Sequence, residues 1–227
     1  MMATALNWQS SGRKAVIFDF DGLILDTETP EVQLWQQAFA RHNLEFDLEA
    51  YLKIIGTAYP RSYRPEEILA DHLANGQTPA EIFAQVHFEA ARIIQNSPAL
   101  PGVCEVLAQA EACGAYKAVG SSSPASWVRT HLANLGLLER FDVIVTQDDV
   151  SFAKPAPDIF LRVLQKLEVA PDKALVLEDS LNGVRAARAA GIRVIAVPNS
   201  VTRHQDFHEA SAVLSSLRDL DLKRQLC

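Results

Sequence analysis

The sequence predicts an α/β protein, a doubly wound parallel sheet interrupted after its first strand by an all-helical block. Three observations predict it. A short apolar run, Val16-Ile17-Phe18, ends in Asp19-Phe20-Asp21-Gly22. From residue 98 onward strand and helix patterns alternate, and between about 30 and 97 no stretch reads as a strand.

The 227 residues are enough for one large core, or for a core with a smaller accessory domain. The composition, 48% hydrophobic and 22% charged, is that of an ordinary soluble globular protein. A net charge of -7 gives no footprint for nucleic acid, so no nucleic-acid partner is expected, and an anionic ligand would need local cations. Cys104, Cys113 and Cys227 lack metal-ligand spacing and form no even framework, which suits free thiols in a reducing compartment. No apolar run approaches the roughly 18 residues of a membrane span, and Met1 to Lys14 lacks the order of a signal peptide. A cytoplasmic protein without a membrane partner, monomeric or weakly dimeric, is the expectation.

In chain order, Val16 to Phe18 is a buried strand by its β-branched, apolar character, and Asp21-Gly22 is the turn that ends it. Side chains alternate along a strand, so Asp19 and Asp21 share one side and Phe20 takes the other. Asp26-Thr27-Glu28-Thr29-Pro30 joins cap residues to a proline suited to a first helical turn, and Thr27 and Glu28 read as hinge and cap. Val32, Leu34, Trp35, Ala38 and Phe39 follow with helical spacing. Trp35 and Phe39 read as the core of this block. Further helices are predicted around Leu48 to Ile55, at Glu66 to Ala74 and at Pro79 to Ile94, with an aromatic and cationic loop from Thr57 to Pro65.

Ser97 to Gly102 is a proline-rich joint. Beyond it the spacing predicts a helix from Val103 to Gly114, a strand Tyr116–Gly120, a helix Ala125–Leu135 and a strand Phe141–Val145. A helix Asp158–Leu167, a strand Ala174–Leu177, a helix Asn182–Ala190 and a strand Val194–Val197 come next. A short strand near Ala212 to Leu214 is the last signal, and the chain end is expected to fray.

A doubly wound sheet gathers the carboxyl ends of its strands into one crevice, so the residues after each strand are the informative ones. They are Asp19 and Asp21; Gly120-Ser121-Ser122-Ser123-Pro124, whose hydroxyls and helix start suit phosphate oxygens; Lys154, stiffened by Pro155 and Pro157; and Glu178-Asp179-Ser180. Each alone fits helix capping or a solvated surface. Together, four carboxylates converging beside one lysine would repel strongly, and they suit Mg²⁺ bound with a phosphoryl group. His204 and His208, four apart, have no third ligand nearby and are read as ordinary surface histidines.

In order and spacing, Asp19-Phe20-Asp21-Gly22 with Asp26-Thr27, then Ser121, then Lys154-Pro155-Ala156-Pro157-Asp158, then Glu178-Asp179-Ser180 with Gly183, the chain resembles the haloacid dehalogenase superfamily of phosphohydrolases and phosphomutases. The resemblance covers about 14 to 198. It implies a Rossmann-like core, residues 14–29 and 98–227, a helical cap domain, residues 30–97, and a flexible tail, residues 1–13. It also implies that Asp19 is the nucleophile that forms an aspartyl-phosphate, and that Asp21 is the general acid and base. Ser121, Ser122 and Lys154 would bind the phosphoryl group. Mg²⁺ would be held by Asp19, the backbone carbonyl of Asp21 and Asp179, with Glu178 as a further ligand or behind one. Halide-removing members lack the second aspartate, so Asp21 with Glu178 and Asp179 points to phosphoryl transfer.

The helical cap and the Glu-Asp-Ser motif are similar to the subgroup of β-phosphoglucomutase and sugar-phosphate phosphatases. Where its mutases carry a histidine and an arginine, this sequence has Glu31 and Tyr59. The expected function is therefore hydrolysis of a small phosphorylated metabolite, a sugar phosphate first. A phosphomutase is the alternative, and a non-catalytic phosphometabolite-binding protein is the alternative of another class. Thr57, Tyr59, Arg61 and Arg64 are the candidates for substrate choice.

Overall fold

The computed structural model describes residues 12–58, 62–73 and 76–226, with the first strand, β1 (Ala15–Phe18), inside a six-stranded parallel sheet. The strands β2 (Tyr116–Gly120), β3 (Val143–Val145), β4 (Ala174–Glu178), β5 (Arg193–Ala196) and β6 (Ala212–Val213) complete it in the order β3-β2-β1-β4-β5-β6. Phe18 pairs with Val119 on one side and Leu177 on the other. The order reverses between β1 and β4, which places the ligand crevice at their carboxyl ends.

Four helices follow β1 directly: α1 (Glu28–Ala40), α2 (Leu48–Leu52), α3 (Pro65–His72) and α4 (Pro79–Ile94). They close over a cluster of their own that includes Trp35, Phe39, Tyr51, Leu69 and Ile82. Thr78 and Glu81 form a reciprocal capping box at the start of α4, satisfying donors that a bare helix end leaves open. The block is tied to the sheet by Asn182, whose amide donates to the carbonyls of Lys53 (3.0 Å) and Ile55 (2.8 Å).

The remaining helices, α5 (Val103–Ala112), α6 (Ala125–Asn134), α7 (Asp158–Leu167), α8 (Leu181–Ala189) and α9 (Leu222–Leu226), cover the two sheet faces. Strand alternation sorts them. Val16 and Phe18 pack with α5, α6 and α9, while Ala15 and Ile17 pack with α7 and α8. All four β1 residues are fully buried, which explains the continuous apolar run in the sequence.

Three expectations need correction. The helix expected to reach Ile55 stops at Leu52. The strand expected from Phe141 starts at Val143, because the Asp142 carboxylate accepts from Lys117 N (2.8 Å) and the Phe141 ring turns edge-on to Phe18. The chain end does not fray over the described residues: Leu222 is fully buried, its N–H donates to Gln109 Oε1 (2.8 Å), and the Lys14 ammonium donates to the Leu226 carbonyl. Cys227 and residues 1–11 of the expected tail lie outside the described residues. Among the described residues no helix is long and apolar enough to cross a membrane.

Candidate active site

The exits of β1 and β4 bring Asp19, Glu178 and Asp179 together, with ligand atoms all within 4.8 Å of one another and all three residues buried. Lys154 is the cation among them. Its ammonium donates to Asp19 Oδ1 (2.5 Å) and Glu178 Oε1 (2.6 Å) and is itself buried. Glu178 is held from all sides, because its other oxygen accepts from the N–H groups of Asp179 and Ser180 and from the Ser180 hydroxyl, each at 3.0 Å. This packing requires a glycine next to it. A Cβ on Gly183 would lie 1.7 Å from Glu178 Oε1.

A fourth acid enters from the start of α1. Glu28, expected as a hinge or cap, accepts from Asn199 Nδ2 (2.8 Å), and the same amide donates to Asp179 Oδ2 (2.8 Å). Asp26 takes the capping role instead, accepting from Thr29 N (3.0 Å). Gly22, at φ 77°, fits into the same space, since a Cβ there would lie 2.4 Å from Asp179 Oδ2.

Electrostatics mark this as an unbalanced cluster. Burial, and then the Glu178 charge, push the Asp19 carboxyl up to about 8 against the opposing pull of Lys154. Burial likewise pushes Glu28 up to about 8 and Asp179 well above the carboxylate range. For Lys154 burial alone would lower the value, but Asp19 and Glu178 outweigh it and the ammonium is held more firmly than usual. Asp179 Oδ1 is buried with no hydrogen-bond partner. A hard dication coordinated by oxygens would relieve both the repulsion and the orphaned oxygen, so the residues fit such an ion.

Asp21 faces the same cavity and its charge adds to the upward push on Asp19 and Glu28, but its oxygens meet donors of their own. Its Oδ2 accepts from Ser123 Oγ (2.6 Å) and Ser121 Oγ (3.3 Å), and its Oδ1 accepts from Trp127 Nε1 (2.9 Å). Glu28, not Asp21, is the carboxyl that shares Asn199 with Asp179. Ser121 Oγ also accepts from Ser123 N (3.0 Å), and Ser122 Oγ accepts from Lys154 N (3.3 Å), so the serine run is tied to Asp21 and to Lys154 alike.

Asp19 and Asp21 both open on a cavity of about 640 Å³ between the sheet and the helical block. Thr57 lines it, as do Glu31, Tyr51 and His87 on the helical side. Glu31 accepts from the Tyr51 hydroxyl (2.6 Å) and lies 3.5 Å from His87 Nε2. Arg64 is not on the cavity wall: it pairs with Glu67 at 2.6 Å on the exposed first turn of α3, a three-residue helical spacing that satisfies both charges locally. Tyr59 and Arg61 lie outside the described residues. His204 sits in a short 3-10 turn and His208 pairs with Asp206, away from the acidic cluster.

Glu28, Asn199, Trp127 and His87 were missed by sequence reasoning. Asn199 carried a signal, since it stands just beyond the exit of β5 as Asp21 stands beyond β1. Glu28, Trp127 and His87 are on helices, where nothing in the spacing says which site a side chain turns toward.

A central parallel sheet whose first and fourth strands end in buried acids around one lysine, beneath an inserted helical block, defines a hydrolase class, and the comparison bears this out. The chain belongs to the haloacid dehalogenase-like hydrolase family, whose profile matches residues 16–197. Among its relatives, YhcW of Bacillus subtilis (strain 168) is 38% identical over 209 residues, 92% of this chain and 94% of that protein. The phosphorylated carbohydrates phosphatase of Thermotoga maritima is 33% identical over 202 residues, 88% of this chain and 92% of its own. Among solved structures, CbbY from Rhodobacter sphaeroides in complex with phosphate superposes with a TM-score of 0.70 at 30% identity, covering 92% of this chain and 96% of that one.

Proposed function

We propose that this chain is a Mg²⁺-dependent phosphatase of small phosphorylated metabolites, sugar phosphates first among them, acting through an aspartyl-phosphate on Asp19. The observation that carries the reading is the buried Asp19–Lys154 contact of 2.5 Å, beside the orphaned Asp179 oxygen and at the wall of a 640 Å³ cavity. A carboxylate nucleophile poised against a fixed ammonium suits an anionic phosphoryl group. The substrate class is supported by the name of the Thermotoga relative, a phosphatase of phosphorylated carbohydrates.

The ion would be held by Asp19, Asp179 and the backbone carbonyl of Asp21. The chemistry supplied by it, when bound, is neutralisation of charge on the phosphoryl oxygens. Glu178 acts behind it, fixing Lys154 and the β4 exit, because its oxygens already hold four hydrogen-bond donors.

An ionised Asp19 oxygen attacks phosphorus. The bond from phosphorus to the leaving oxygen breaks with its electron pair on that oxygen, which takes a proton from the Asp21 carboxyl. The Asp21 carboxylate then takes a proton from water as the water oxygen attacks the aspartyl-phosphate, releasing inorganic phosphate and Asp19. Lys154, Ser121 and Ser122 hold the phosphoryl oxygens throughout. Residues 14–29 and 98–227 form the core that carries these groups, and residues 30–97 form the cap that presents Thr57 to the substrate.

The test is inorganic phosphate release from a panel of sugar phosphates, nucleotides and other small phosphomonoesters, with Mg²⁺ or EDTA. Release that needs Mg²⁺ and disappears in Asp19→Asn is expected. No release from any compound would overturn the phosphatase and move the question to hexose 1-phosphate isomerisation with a bisphosphate primer.

A further inference from the structure

We infer that Trp127 is a positioning residue that orients the Asp21 carboxyl toward the substrate side of the cavity. The inference rests on the reading above, in which Asp21 protonates the leaving oxygen, and it deepens it. An indole N–H can only donate, so an oxygen that it addresses at 2.9 Å is held as an acceptor and cannot present a proton in that direction. The hydroxyls of Ser123 and Ser121 on Oδ2 can turn round and accept. The carboxyl plane is thereby fixed by contacts at both of its oxygens.

The indole is built to hold still. It lies in the first turn of α6, where Ala125 N donates to Asp148 Oδ2 (2.8 Å), on a helix anchored by the fully buried Val128 and Leu132. One turn on, His131 is buried and stands at a tilt against the indole ring, with centroids 4.2 Å apart and planes at 66°. His131 in turn rests near Phe20, between the two aspartates of the first motif, at 6.4 Å. The indole also lines the cavity with Asp21, which puts the positioned carboxyl on the substrate side.

A group that orders a general acid matters in proportion to how badly the leaving group needs a proton. An alkyl phosphate leaves as a strongly basic alkoxide, whereas p-nitrophenyl phosphate leaves as a stable phenolate. We would measure kcat/KM for the best alkyl phosphate of the panel and for p-nitrophenyl phosphate in the wild type, Trp127→Phe and Asp21→Asn. In Trp127→Phe the alkyl-to-aryl ratio is expected to fall about tenfold or more, a fraction of the roughly 10²–10⁴ that general acid catalysis supplies. Replacement of Trp127 by benzothienylalanine, which keeps the bicyclic shape and removes the donor, should lower the ratio similarly with an unchanged thermal midpoint.

A ratio that stays at the wild-type value in both Trp127 variants, while falling in Asp21→Asn, overturns this inference alone. A ratio that does not move in Asp21→Asn, or a wild type that hydrolyses neither ester, overturns the general-acid reading and this inference with it.

Discussion

The site has two halves that treat carboxylates in opposite ways. Around Asp19, Glu28 and Asp179, burial outweighs the available donors, and all three carboxyls are driven toward the neutral form. Around Asp21 three donors converge on one carboxylate and none of its oxygens is left over. The repulsion in the first half is relieved either by protons or by a bound cation. The second is complete in the protein itself. A cation-and-phosphoryl half and a proton-transfer half can thus lie side by side, because the difference is written in the donors that each carboxylate meets.

The sharpest way to test that division is to remove the nucleophile. Asp19→Asn should lower phosphate release by about 10⁴-fold or more, since loss of an activated nucleophile leaves only binding and electrostatics. Activity within tenfold of wild type would place the nucleophile elsewhere. Next in size is Asn199→Ala, which strips Asp179 and Glu28 of their shared donor. The Mg²⁺ concentration for half-maximal activity should rise about 10- to 100-fold, with the Asp21 half untouched. An unchanged Mg²⁺ requirement would take Asn199 out of the ion's surroundings.

Gly183→Ala tests whether the packing under Glu178 is as tight as it looks. A methyl driven against Glu178 should cost about 1–3 kcal/mol in denaturant unfolding and weaken turnover as Lys154 loses its anchor. Wild-type stability would mean that Glu178 can move freely. The pH dependence of stability separates the halves without a mutation. Asp19 and Glu28 titrate at about 8 when folded and near 4 when unfolded, so between those values the folded state holds more protons. Unfolding free energy in EDTA should therefore fall as pH rises from about 4 to about 8. Added Mg²⁺ should raise the melting temperature more at pH 8 than at pH 5, and a flat profile in EDTA would remove the imbalance. Smallest of all, Ser123→Ala leaves Asp21 with its other two donors and should lower kcat a few-fold, about what one hydrogen bond to a charged group contributes. A loss as large as that of Asp19→Asn would mean that the serine binds phosphate directly.

Much of this was legible in the chain itself. Val16 to Phe18 declared a strand buried on both faces, and the alternation beyond residue 98 declared the crossovers, because a parallel sheet covered by helices demands continuous apolar strands. Asp19, Glu178 and Asp179 could be gathered from sequence because topology sends strand exits to one crevice, and Lys154, farther beyond β3, by its flanking prolines and the motif resemblance. Topology delivers a residue to the crevice and leaves its partners open, which is why Asp21 could be counted with the acids while its donors Ser123 and Trp127 could not be named. The same limit hid Glu28, a first-turn glutamate that reads as a hinge or cap until Asn199 is seen beside it. Arg64 shows the converse, a cation that pairs with Glu67 on the exposed start of α3 and does not line the cavity.

By itself, then, the sequence determined the α/β order and the four motif positions, since periodicity and strand-exit chemistry are properties of local spacing, and the resemblance of those motifs pointed to the family of hydrolases. Only the tertiary structure decided which carboxylate faces a cation and which faces hydroxyls and an indole. That choice depends on distances between residues as far apart in the chain as Asp21 and Trp127 or Glu28 and Asn199, and such distances exist only once the chain has packed.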